Sequence, residues 1–416
     1  MKILITNNEI SKKTGSELYV KELAEQLTKI GHQVAIYSDC LGELAKEIRK
    51  SKIEITDDLA TLSFKPDIIH GQHHLETMTA VTYFHDVPAI YFCHGWRPWQ
   101  STPPKHPRII EYAAVDSKTL NSAVKNAGIS SNKIRIIHNF VDTERFQQRS
   151  PLPEKPEKAL IFSNYANEDN YIPIVRKACS RANIKLDVIG MASNNSVEKP
   201  ELILKDYDIV FAFGRSSLEA LATGNALIIC GIWGLGPMVQ STNMEKLRDL
   251  NFGVAAVYSE LNEEAIYKEI QKYNAKDSAK VTEYIRSHAN IVSTVAKIEK
   301  FYFEVLEKYQ KIKINPVKES LAVSKYLEKL TFLIKQSYTE LAIKGEEINR
   351  LSKQNIEVSQ AIEELRFKLL EAEREFKKQN RKINFMQASK FWKLRKKYLD
   401  IKNFFKEIKP LDSPKK

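Results

Sequence analysis

The sequence predicts an α/β protein with two doubly wound, Rossmann-like domains followed by a long helical coiled-coil tail. Three observations lead to this fold class. Short apolar runs alternate with helical segments through residues 1–310, which is the order that builds parallel sheets. A proline-rich segment, residues 150–158, interrupts this order once, as a hinge between two domains would. From Val317 onward, an apolar heptad repeat replaces the alternation.

The first domain is predicted over residues 1–149. Its predicted elements open with a strand at residues 2–6, a helix at about 16–30 and a strand at 33–38, with further buried runs at 67–70, 89–94 and 134–138. Residues 14–17 have the spacing of a capping box, and Gly31 is expected to end the helix. The opening residues MKILIT are expected to form a buried strand and not a signal peptide.

The second domain is predicted over residues 159–310, after the hinge at 150–158. Its predicted elements are strands at 160–163, 186–190, 209–213, 226–230 and 254–258, helices at 172–182 and after Asn262, and a long helical stretch at about 278–310. A glycine loop that contains Gly234 and Gly236 is expected to follow the fourth strand. Both glycines are candidate ligand-binding residues, because such loops lie at the carboxyl ends of strands, where doubly wound sheets bind ligands.

The most informative stretch for function is residues 208–239, which reads as strand, turn, helix, strand and turn. Gly214 and Ser216 place backbone N–H groups at a helix start, where the macrodipole favours an anion. Arg215 adds a cation suited to phosphate, and Glu219 can accept hydrogen bonds from sugar hydroxyls. The pattern indicates a nucleotide-sugar pocket, although Arg215 and Glu219 also have the spacing of a simple i,i+4 ion pair.

Motifs along residues 1–310 resemble those of bacterial GT-B fold glycosyltransferases, nearest to glycosyltransferase family 4. The matching segments are TGSE (14–17), PDIIHGQ (66–72), YFCHG (91–95), a stretch through Ser117, Asn139, Asp142 and Phe146, and EALATG (219–224). The resemblance implies that His94 lines the donor site and that Glu219 is the donor-site glutamate. Two features depart from the family pattern. Phe211 stands where the family has a second glutamate, and residues 162–170 lack the usual Arg and Lys. Arg215 is expected to supply the missing charge.

The sequence therefore predicts a glycosyltransferase that moves a sugar from a nucleotide diphosphate donor to a glycan or lipid-linked acceptor in surface polysaccharide assembly. The expected catalytic residues are His94 and Glu219. The expected nucleotide-sugar-binding residues are Gly15, Ser16, Asn139, Gly214, Arg215, Ser216, Gly234 and Gly236. No cofactor and no metal are expected, and the resemblance implies retention of anomeric configuration. Two alternatives remain open: a catalytically degenerate scaffold, and a nucleotide-sugar epimerase of the same fold.

Other candidate sites carry less weight. His70, His73 and His74 suggest metal ligands, but no Cys or carboxylate cluster accompanies them, so a polar cleft lining is favoured. Arg97, between Trp96 and Trp99, is a candidate anion clamp, with simple packing of the tryptophans as the equal alternative. No Gly-x-Gly-x-x-Gly follows the first strand, which argues against a dinucleotide dehydrogenase.

Charge and cysteine content bear on location. Residues 311–416 carry 26 Lys and Arg against 14 Asp and Glu, whereas residues 1–310 carry 38 of each. The basic excess of the tail suggests an anionic surface. Nothing resembles a nucleic-acid reading module, so no nucleic-acid partner is expected. Four widely spaced cysteines fit free thiols in a reducing cytoplasm, and the protein is expected to be cytoplasmic, at most peripheral on the inner face of the membrane.

The tail is predicted to contain a coiled coil over residues 317–385 and a basic amphipathic segment over 386–416. The a/d pairs of the heptads are Leu327/Leu330, Ile334/Ser337, Leu341/Lys344, Ile348/Leu351, Asn355/Val358, Ile362/Leu365 and Leu369/Ala372. Asn355 at an a position favours two strands and thus a homodimer, with packing of the helix back on its own body as the alternative. Residues 389–409 combine an aromatic stripe with many lysines, which suits an anionic membrane surface; docking on a protein partner is the competing interpretation.

Overall fold

The computed structural model describes residues 1–96 and 99–407. Residues 1–328 form one compact unit, and the chain from Lys329 onward forms another. Arg97, the candidate anion clamp, lies outside the described residues, as does the end of the predicted basic segment from Ile408 onward.

Among the described residues, the first sheet contains seven parallel strands, five of which the apolar runs predicted. They are β1 (Lys2–Thr6), β2 (Gln33–Tyr37), β3 (Glu54–Thr56), β4 (Ile68–Gly71), β5 (Ala89–Cys93), β6 (Ile109–Ala114) and β7 (Ile134–Ile136). Their order is β3-β2-β1-β4-β5-β6-β7. Helices α1 (Gly15–Lys29), α2 (Glu43–Arg49), α3 (His74–Tyr83) and α4 (Ser117–Lys125) connect them. The strand order reverses between β1 and β4, which places a ligand-binding crevice at the carboxyl ends of these strands.

Helix α1 follows from the spacing of its apolar residues, since Val20, Leu23, Ala24 and Leu27 are all buried. Gly31, at φ +96°, takes the left-handed conformation that ends the helix. The predicted capping box does not form. The Thr14 hydroxyl bonds the Glu17 carboxylate and not a backbone N–H of the first turn. The carboxylate of Glu17 is buried and therefore needs hydrogen-bond donors from the protein. The N–H groups at the start of α1 face solvent and have less need of the Thr14 hydroxyl.

The second sheet contains five strands. They are β8 (Lys158–Phe162), β9 (Lys185–Ile189), β10 (Ile209–Ala212), β11 (Ala226–Gly231) and β12 (Gly234–Met238), in the order β12-β11-β10-β8-β9. Its helices are α5 (Ile172–Arg181), α6 (Pro200–Ile203), α7 (Arg215–Thr223), α8 (Met244–Asp249), α9 (Glu263–Ile270) and α10 (Ala275–His288). The strands are parallel except β12. The reversal here lies between β8 and β10, so α7 starts at the second crevice.

The predicted glycine loop is wrong, because Gly234 and Gly236 lie in strand β12, antiparallel to β11. The strand is also bridged to Ser259 through Leu235. A Cβ on Gly234 would lie 2.6 Å from the Ser259 carbonyl oxygen, and one on Gly236 would lie 2.8 Å from that of Ala256. These glycines therefore permit close packing of backbones and do not form a ligand-binding loop.

Two further predictions for the second domain are wrong. The predicted strand at residues 254–258 is a 3-10 turn at Val254–Ala256 followed by extended chain. The predicted helix at 278–310 is two helices, α10 and α11 (Ile291–Gln310), because Asn290 caps a new start by accepting from the Val292 N–H. The break redirects the chain, so that Ile298 and Phe301 of α11 pack into the core of the first domain.

The tail begins with helix α12 (Pro316–Ala388), which Ser389 separates from α13 (Lys390–Glu407). The first turns of α12 lie within the first compact unit. There Glu319 pairs with Arg108, and Val323 and Tyr326 pack on the first domain. Beyond them, Leu330 is half-buried and the heptad residues from Ile334 onward are exposed. The α/β fold class with two sheets and a long helical tail is confirmed, whereas pairing of α12 with a second chain stays a prediction.

Candidate functional site

A cavity of roughly 270 Å³ lies where the crevices of the two sheets meet. Its lining residues are Gly15, Ser16, Tyr19, His73, His94, Gly95, Gln100, Ser101, Asn139 and Arg215. Most of them follow β1, β4 and β5 of the first domain, and Arg215 opens α7 of the second. We call this the cleft cavity.

Five predicted site residues line the cleft cavity: Gly15, Ser16, His94, Asn139 and Arg215. Three more predicted residues are close to Arg215 in the sequence: Gly214 precedes α7, and Ser216 and Glu219 lie in it. Glu219 contacts Arg215. Gly234 and Gly236 do not line it, because they are buried in the β11–β12 hairpin.

The start of α1 leaves open space at the cavity. An added Cβ at Gly15 would meet nothing within 4 Å. The Ser16 hydroxyl donates to the Glu17 carboxylate at 2.9 Å. Ser16 can therefore offer a ligand its backbone N–H, which lies in the first turn and has no acceptor within the helix, while its hydroxyl holds the buried Glu17.

His94 follows β5 and is a neutral group in this site. Burial, together with the nearby His73, lowers the pKa of His94 to about 3. Its ring packs against Tyr19 with centroids 4.4 Å apart. Its Nε2 is buried and has no hydrogen-bond partner among the described residues. A buried polar atom beside a cavity is a candidate ligand contact, so His94 can hydrogen-bond a sugar or phosphate oxygen but does not supply a positive charge.

Asn139 contributes a second unpartnered atom. Its Nδ2 donates to Asn251 Oδ1 at 3.0 Å, which ties the end of the first domain to the loop after α8. Its Oδ1 is buried without a partner in the described part of the chain. Asn139 and His94 thus give the cavity wall two polar atoms that a hydroxyl-rich ligand can satisfy.

Arg215 is held between two carboxylates. Its Nη2 lies 2.5 Å from Glu22 Oε2 on α1, and its Nε lies 3.1 Å from Glu219 Oε1. All three side chains are at most 12% exposed. Burial alone would lower the pKa of Arg215, but the two carboxylates raise it above its usual value. The i,i+4 pair expected as the simpler interpretation is therefore present, and Glu22 extends it across the two domains.

A second arginine joins this cluster. Arg145 Nη1 lies 3.5 Å from Glu22 Oε1, and its Nη2 lies 2.9 Å from Glu201 Oε2 on α6. We call Glu22, Arg145, Glu201, Arg215 and Glu219 the cleft ion network. It contains three carboxylates and two guanidinium groups, so it has one carboxylate more than its cations can neutralise.

The surplus carboxylate affects protonation. Burial raises the pKa of Glu219 to about 7, against the opposing charge of Arg215 and with the further repulsion of Glu22. A fully charged network would place a net negative charge in a poorly hydrated cleft, which is costly. Burial in this network therefore places the pKa of Glu219 near neutral pH.

The turn before α7 uses its polar groups internally. Gly214 has φ +65° and ψ −125°, and its N–H donates to the Phe252 carbonyl at 2.9 Å. The Ser216 hydroxyl donates to the Phe213 carbonyl at 3.1 Å. The expectation that the Gly214 N–H is free for an anion is thus wrong. The N–H groups of Arg215 and Ser216, in the first turn of α7, remain without intrahelical acceptors.

The two departures from the family pattern also have structural counterparts. Phe211 is fully buried in the core of the second domain, where it packs with the β8 and β11 residues Ile161 and Ile228. It therefore takes no part in the cleft. Residues 163–170, after β8, form turns held by asparagine side chains, such as Asn170 Nδ2 donating to the Tyr165 carbonyl. Arg215 is the one cation among the described residues that line the cleft cavity.

Sequence reasoning missed Glu22, Arg145 and Tyr19 as cleft residues, whereas His73 lines the cleft cavity, in agreement with the favoured interpretation of that histidine. Glu22 carried one usable signal: it is a charged residue beside Leu23 on the apolar side of α1, and it is indeed buried. Arg145 lies in a loop without a regular pattern, so only the tertiary structure brings it to Glu22 and Glu201.

The histidines that suggested a metal have separate partners. His70 Nδ1 lies 2.7 Å from the Tyr302 hydroxyl, His73 Nδ1 accepts from the Asn8 N–H, and His74 Nδ1 lies 2.7 Å from the Tyr326 hydroxyl. Among residues 1–96 and 99–407, no three His, Cys, Asp or Glu side chains group as metal ligands would.

Within the same residues, every helix is too short or too polar to cross a bilayer.

Replacing Glu219 with Gln tests the surplus charge. Because the folded-state pKa is raised, Glu219 stabilises the fold most below about pH 4.5, and this contribution is lost as pH rises through about 7. Relative to the unmodified protein, Glu219→Gln should therefore gain on the order of 2 kcal/mol between pH 5 and pH 8. Thermal unfolding at both pH values measures this. Glu283→Gln, at an exposed carboxylate on α10, is the control; the same pH dependence in all three proteins would contradict the assignment.

Comparisons with known proteins agree with this architecture. Residues 13–145 match the family model described as Glycosyltransferase Family 4. No curated protein matches the sequence.

Solved structures share the fold. A glycosyltransferase from Rickettsia africae is 15% identical, with 73% of this chain and 98% of that chain covered and a TM-score of 0.50. The HepE protein of Anabaena, in complex with UDP-glucose, is 12% identical, with 73% and 100% covered and a TM-score of 0.54. The chain therefore resembles the glycosyltransferases of family 4 and has the GT-B fold, which confirms the resemblance and the fold predicted from its motifs.

Proposed function

We propose that this protein is a glycosyltransferase that moves a sugar from a nucleotide diphosphate donor to a glycan or lipid-linked acceptor. The observation that carries the proposal is the cleft cavity between the two domains, which five residues predicted from the sequence line together. The matched family model over residues 13–145 supports the reaction class. Surface polysaccharide assembly remains the expected pathway class, because the tail, with SKFWKLR at residues 389–395, resembles those of bacterial surface-polysaccharide glycosyltransferases.

Arg215 is the proposed contact for the donor diphosphate. It lines the cavity, and its guanidinium suits a bidentate phosphate contact. Glu22 holds it at 2.5 Å, so a diphosphate would take the place of Glu22 as its partner. The N–H groups at the starts of α1 and α7 would add the dipoles that stabilise charge on the departing diphosphate. We propose that these groups remove the need for a metal ion.

His94 and Glu219 are the proposed contacts for the donor sugar and ribose. His94 is neutral because its pKa is lowered to about 3, so it would hydrogen-bond an oxygen and not pair with a charge. Glu219 would accept from hydroxyl groups once Arg215 turns toward the diphosphate. Retention of anomeric configuration follows from the family resemblance alone.

Two other functions remain possible outcomes of the test. A degenerate scaffold would keep the fold without binding nucleotide, and the buried Phe211 in place of the family's second glutamate favours it. An epimerase of the same fold would convert the donor without an acceptor. The Anabaena protein that shares the fold was solved with UDP-glucose, so UDP-sugars are the first donors to test.

The tail is proposed to form a homodimeric coiled coil. Its heptad residues lie on one continuous helix, α12, and large apolar side chains such as Leu341, Ile348 and Leu365 are more than half exposed. A long apolar seam open to water is unfavourable, and pairing with a second copy would bury it. Asn355 at an a position would fix the register of two strands.

Helix α13 is proposed to bind an anionic membrane surface from the cytoplasmic side. Ser389 caps its start by accepting from the Trp392 N–H at 3.2 Å. Phe391, Leu394, Tyr398, Ile401 and Phe405 are all more than half exposed, and the basic residues between them carry the charge that anionic lipids attract.

Replacing Arg215 with Met should lower kcat/KM for the best nucleotide sugar by about 100-fold or more, since one donor to developing charge contributes that much. The assay measures release of nucleoside diphosphate from a panel of UDP-, GDP- and ADP-sugars with acceptor extracts. Arg181→Met, at an exposed ion pair with Glu264, should leave turnover unchanged. Turnover that survives Arg215→Met would contradict the role of Arg215.

The same assay distinguishes the alternative functions. Absence of both turnover and nucleotide binding in the unmodified protein would favour the scaffold. Conversion of the donor without an acceptor would favour the epimerase.

The coiled coil predicts a dimer in solution. Ile348→Asp places a charge at an a position and should shift the full-length protein from twice its chain mass toward monomer in sedimentation velocity at micromolar concentration. Asn349→Asp introduces the same side chain one position later, at an exposed b position, and should leave the dimer intact. A monomeric unmodified protein would exclude the dimer.

The membrane proposal predicts binding to vesicles with 30% phosphatidylglycerol and not to vesicles of phosphatidylcholine alone. Reversing Lys396 and Lys397 to Glu should weaken cosedimentation at least tenfold, because each basic residue near the surface contributes about 1 kcal/mol. Reversing Lys377 and Lys378 on α12 applies the same charge change outside the aromatic segment and should have a smaller effect. Equal binding to both kinds of vesicle, or to neither, would contradict the proposal.

A further inference from the structure

A second cavity, of roughly 220 Å³, lies on another part of the junction between the two domains. It shares no lining residue with the cleft cavity. Its lining residues are Ile136, Ile137, His138, Glu245, Arg248, Tyr284, His288, Thr294 and Lys297. We call it the Arg248 cavity. The first three follow or end β7 of the first domain, and the rest belong to α8, α10 and α11.

Arg248 is the unusual residue of this cavity. Its side chain is buried, and its Nη2 donates to the His288 carbonyl at 2.8 Å, at the end of α10. Its Nη1 is buried without a hydrogen-bond partner, and no described carboxylate lies within ion-pair distance of it. Burial lowers the pKa of Arg248 from its usual value, yet arginine stays charged in proteins.

A structural role explains only part of this geometry. The bond to His288 caps α10 and accounts for Nη2. It leaves Nη1 and the positive charge uncompensated, and a buried charge without a partner is strongly unfavourable. The other buried arginine among the described residues, Arg108, pairs with the Glu319 carboxylate. Arg248 therefore has the chemistry of a site completed by an anion.

The neighbouring groups fit the same ligand. Lys297 on α11 lines the cavity, is exposed and pairs with none of the described carboxylates. Tyr284 supplies a hydroxyl to the lining. Glu245 is the one described carboxylate there, and it is exposed on α8, beyond ion-pair distance from Arg248. His138 is neutral, because burial lowers its pKa and its Nδ1 donates to the Val115 carbonyl at 3.0 Å.

We propose that the Arg248 cavity binds a phosphate-class oxyanion, with Arg248 and Lys297 as the two cations that hold it. The anion is a free phosphate or the phosphate group of a larger ligand, since both present the same oxygens to a guanidinium and an ammonium. Because the lining comes from both domains, a bound anion would join the segment after β7 to α8, α10 and α11. It would stabilise this junction without occupying the cleft.

The test uses the full-length protein in a buffer free of phosphate and sulfate, at fixed pH and constant ionic strength set with chloride. Isothermal titration with inorganic phosphate measures binding directly, and the rise in melting temperature provides a second readout. The unmodified protein should bind phosphate with a dissociation constant at or below the millimolar range. Lys297→Met should weaken binding about tenfold, and Arg248→Met should abolish it. Lys300→Met, at an exposed lysine on the same helix outside the lining, should leave it unchanged.

Two controls keep the outcome clear. If Arg248→Met fails to fold, Lys297→Met against Lys300→Met decides the result alone. Glycerol 1-phosphate, titrated in parallel, distinguishes the sources: tighter binding of the ester assigns the site to a phosphate on a larger ligand, and tighter binding of inorganic phosphate assigns it to the free ion. No phosphate binding, equal binding by Lys297→Met and Lys300→Met, or loss of binding in Arg215→Met would each overturn the proposal.

Discussion

The contact on which the cleft depends is the ion pair between Glu22 and Arg215. Glu22 belongs to the first domain, Arg215 to the second, and Glu219 holds the other edge of the same guanidinium. Because all three side chains are nearly buried, removing Arg215 would leave both carboxylates without their shared partner, at a cost of about 3–5 kcal/mol. One arginine therefore joins the two domains at the cleft and orients the Glu219 carboxylate.

This arrangement gives the cleft a definite response to an anion. Under the proposed function, a diphosphate at Arg215 would displace Glu22, so donor binding would also loosen an ion pair between the two domains. A ligand shifts a conformational equilibrium only by its differential affinity for the two states, and here that difference is the exchange of a carboxylate for a phosphate. The incoming diphosphate carries at least as much negative charge as the carboxylate it would displace, so donor binding would keep the pKa of Glu219 raised, as the repulsion from Glu22 does in the free cleft.

The sequence predicted the features that depend on local pattern. Helix α7 and most strands of both sheets follow from apolar runs and from glycine signals, whereas β3, β6 and β12 were not predicted as strands. The crevices follow from strand order. It failed where tertiary contacts override local pattern. Gly234 and Gly236 resemble a loop, yet the backbone of Ser259 requires glycine in a strand. The helical pattern continues through Asn290, but the helix breaks there and α11 packs into the core of the first domain. Glu22 and Arg145 lie 123 positions apart, a distance that no periodicity can bridge.

The balance of charge in each cavity also could not be predicted from the sequence. Residues 1–310 contain equal numbers of basic and acidic residues, which predicts an electrically neutral body. In the folded protein, however, the charged residues are distributed unevenly along the junction between the two domains. The cleft ion network holds three carboxylates against two guanidinium groups, whereas the Arg248 cavity has Arg248 and Lys297 against one exposed glutamate. The two cavities thus have opposite charge imbalances. An anion must compete with carboxylates in the first and meets an unpaired arginine in the second, so two anionic ligands of similar chemistry need not exclude each other.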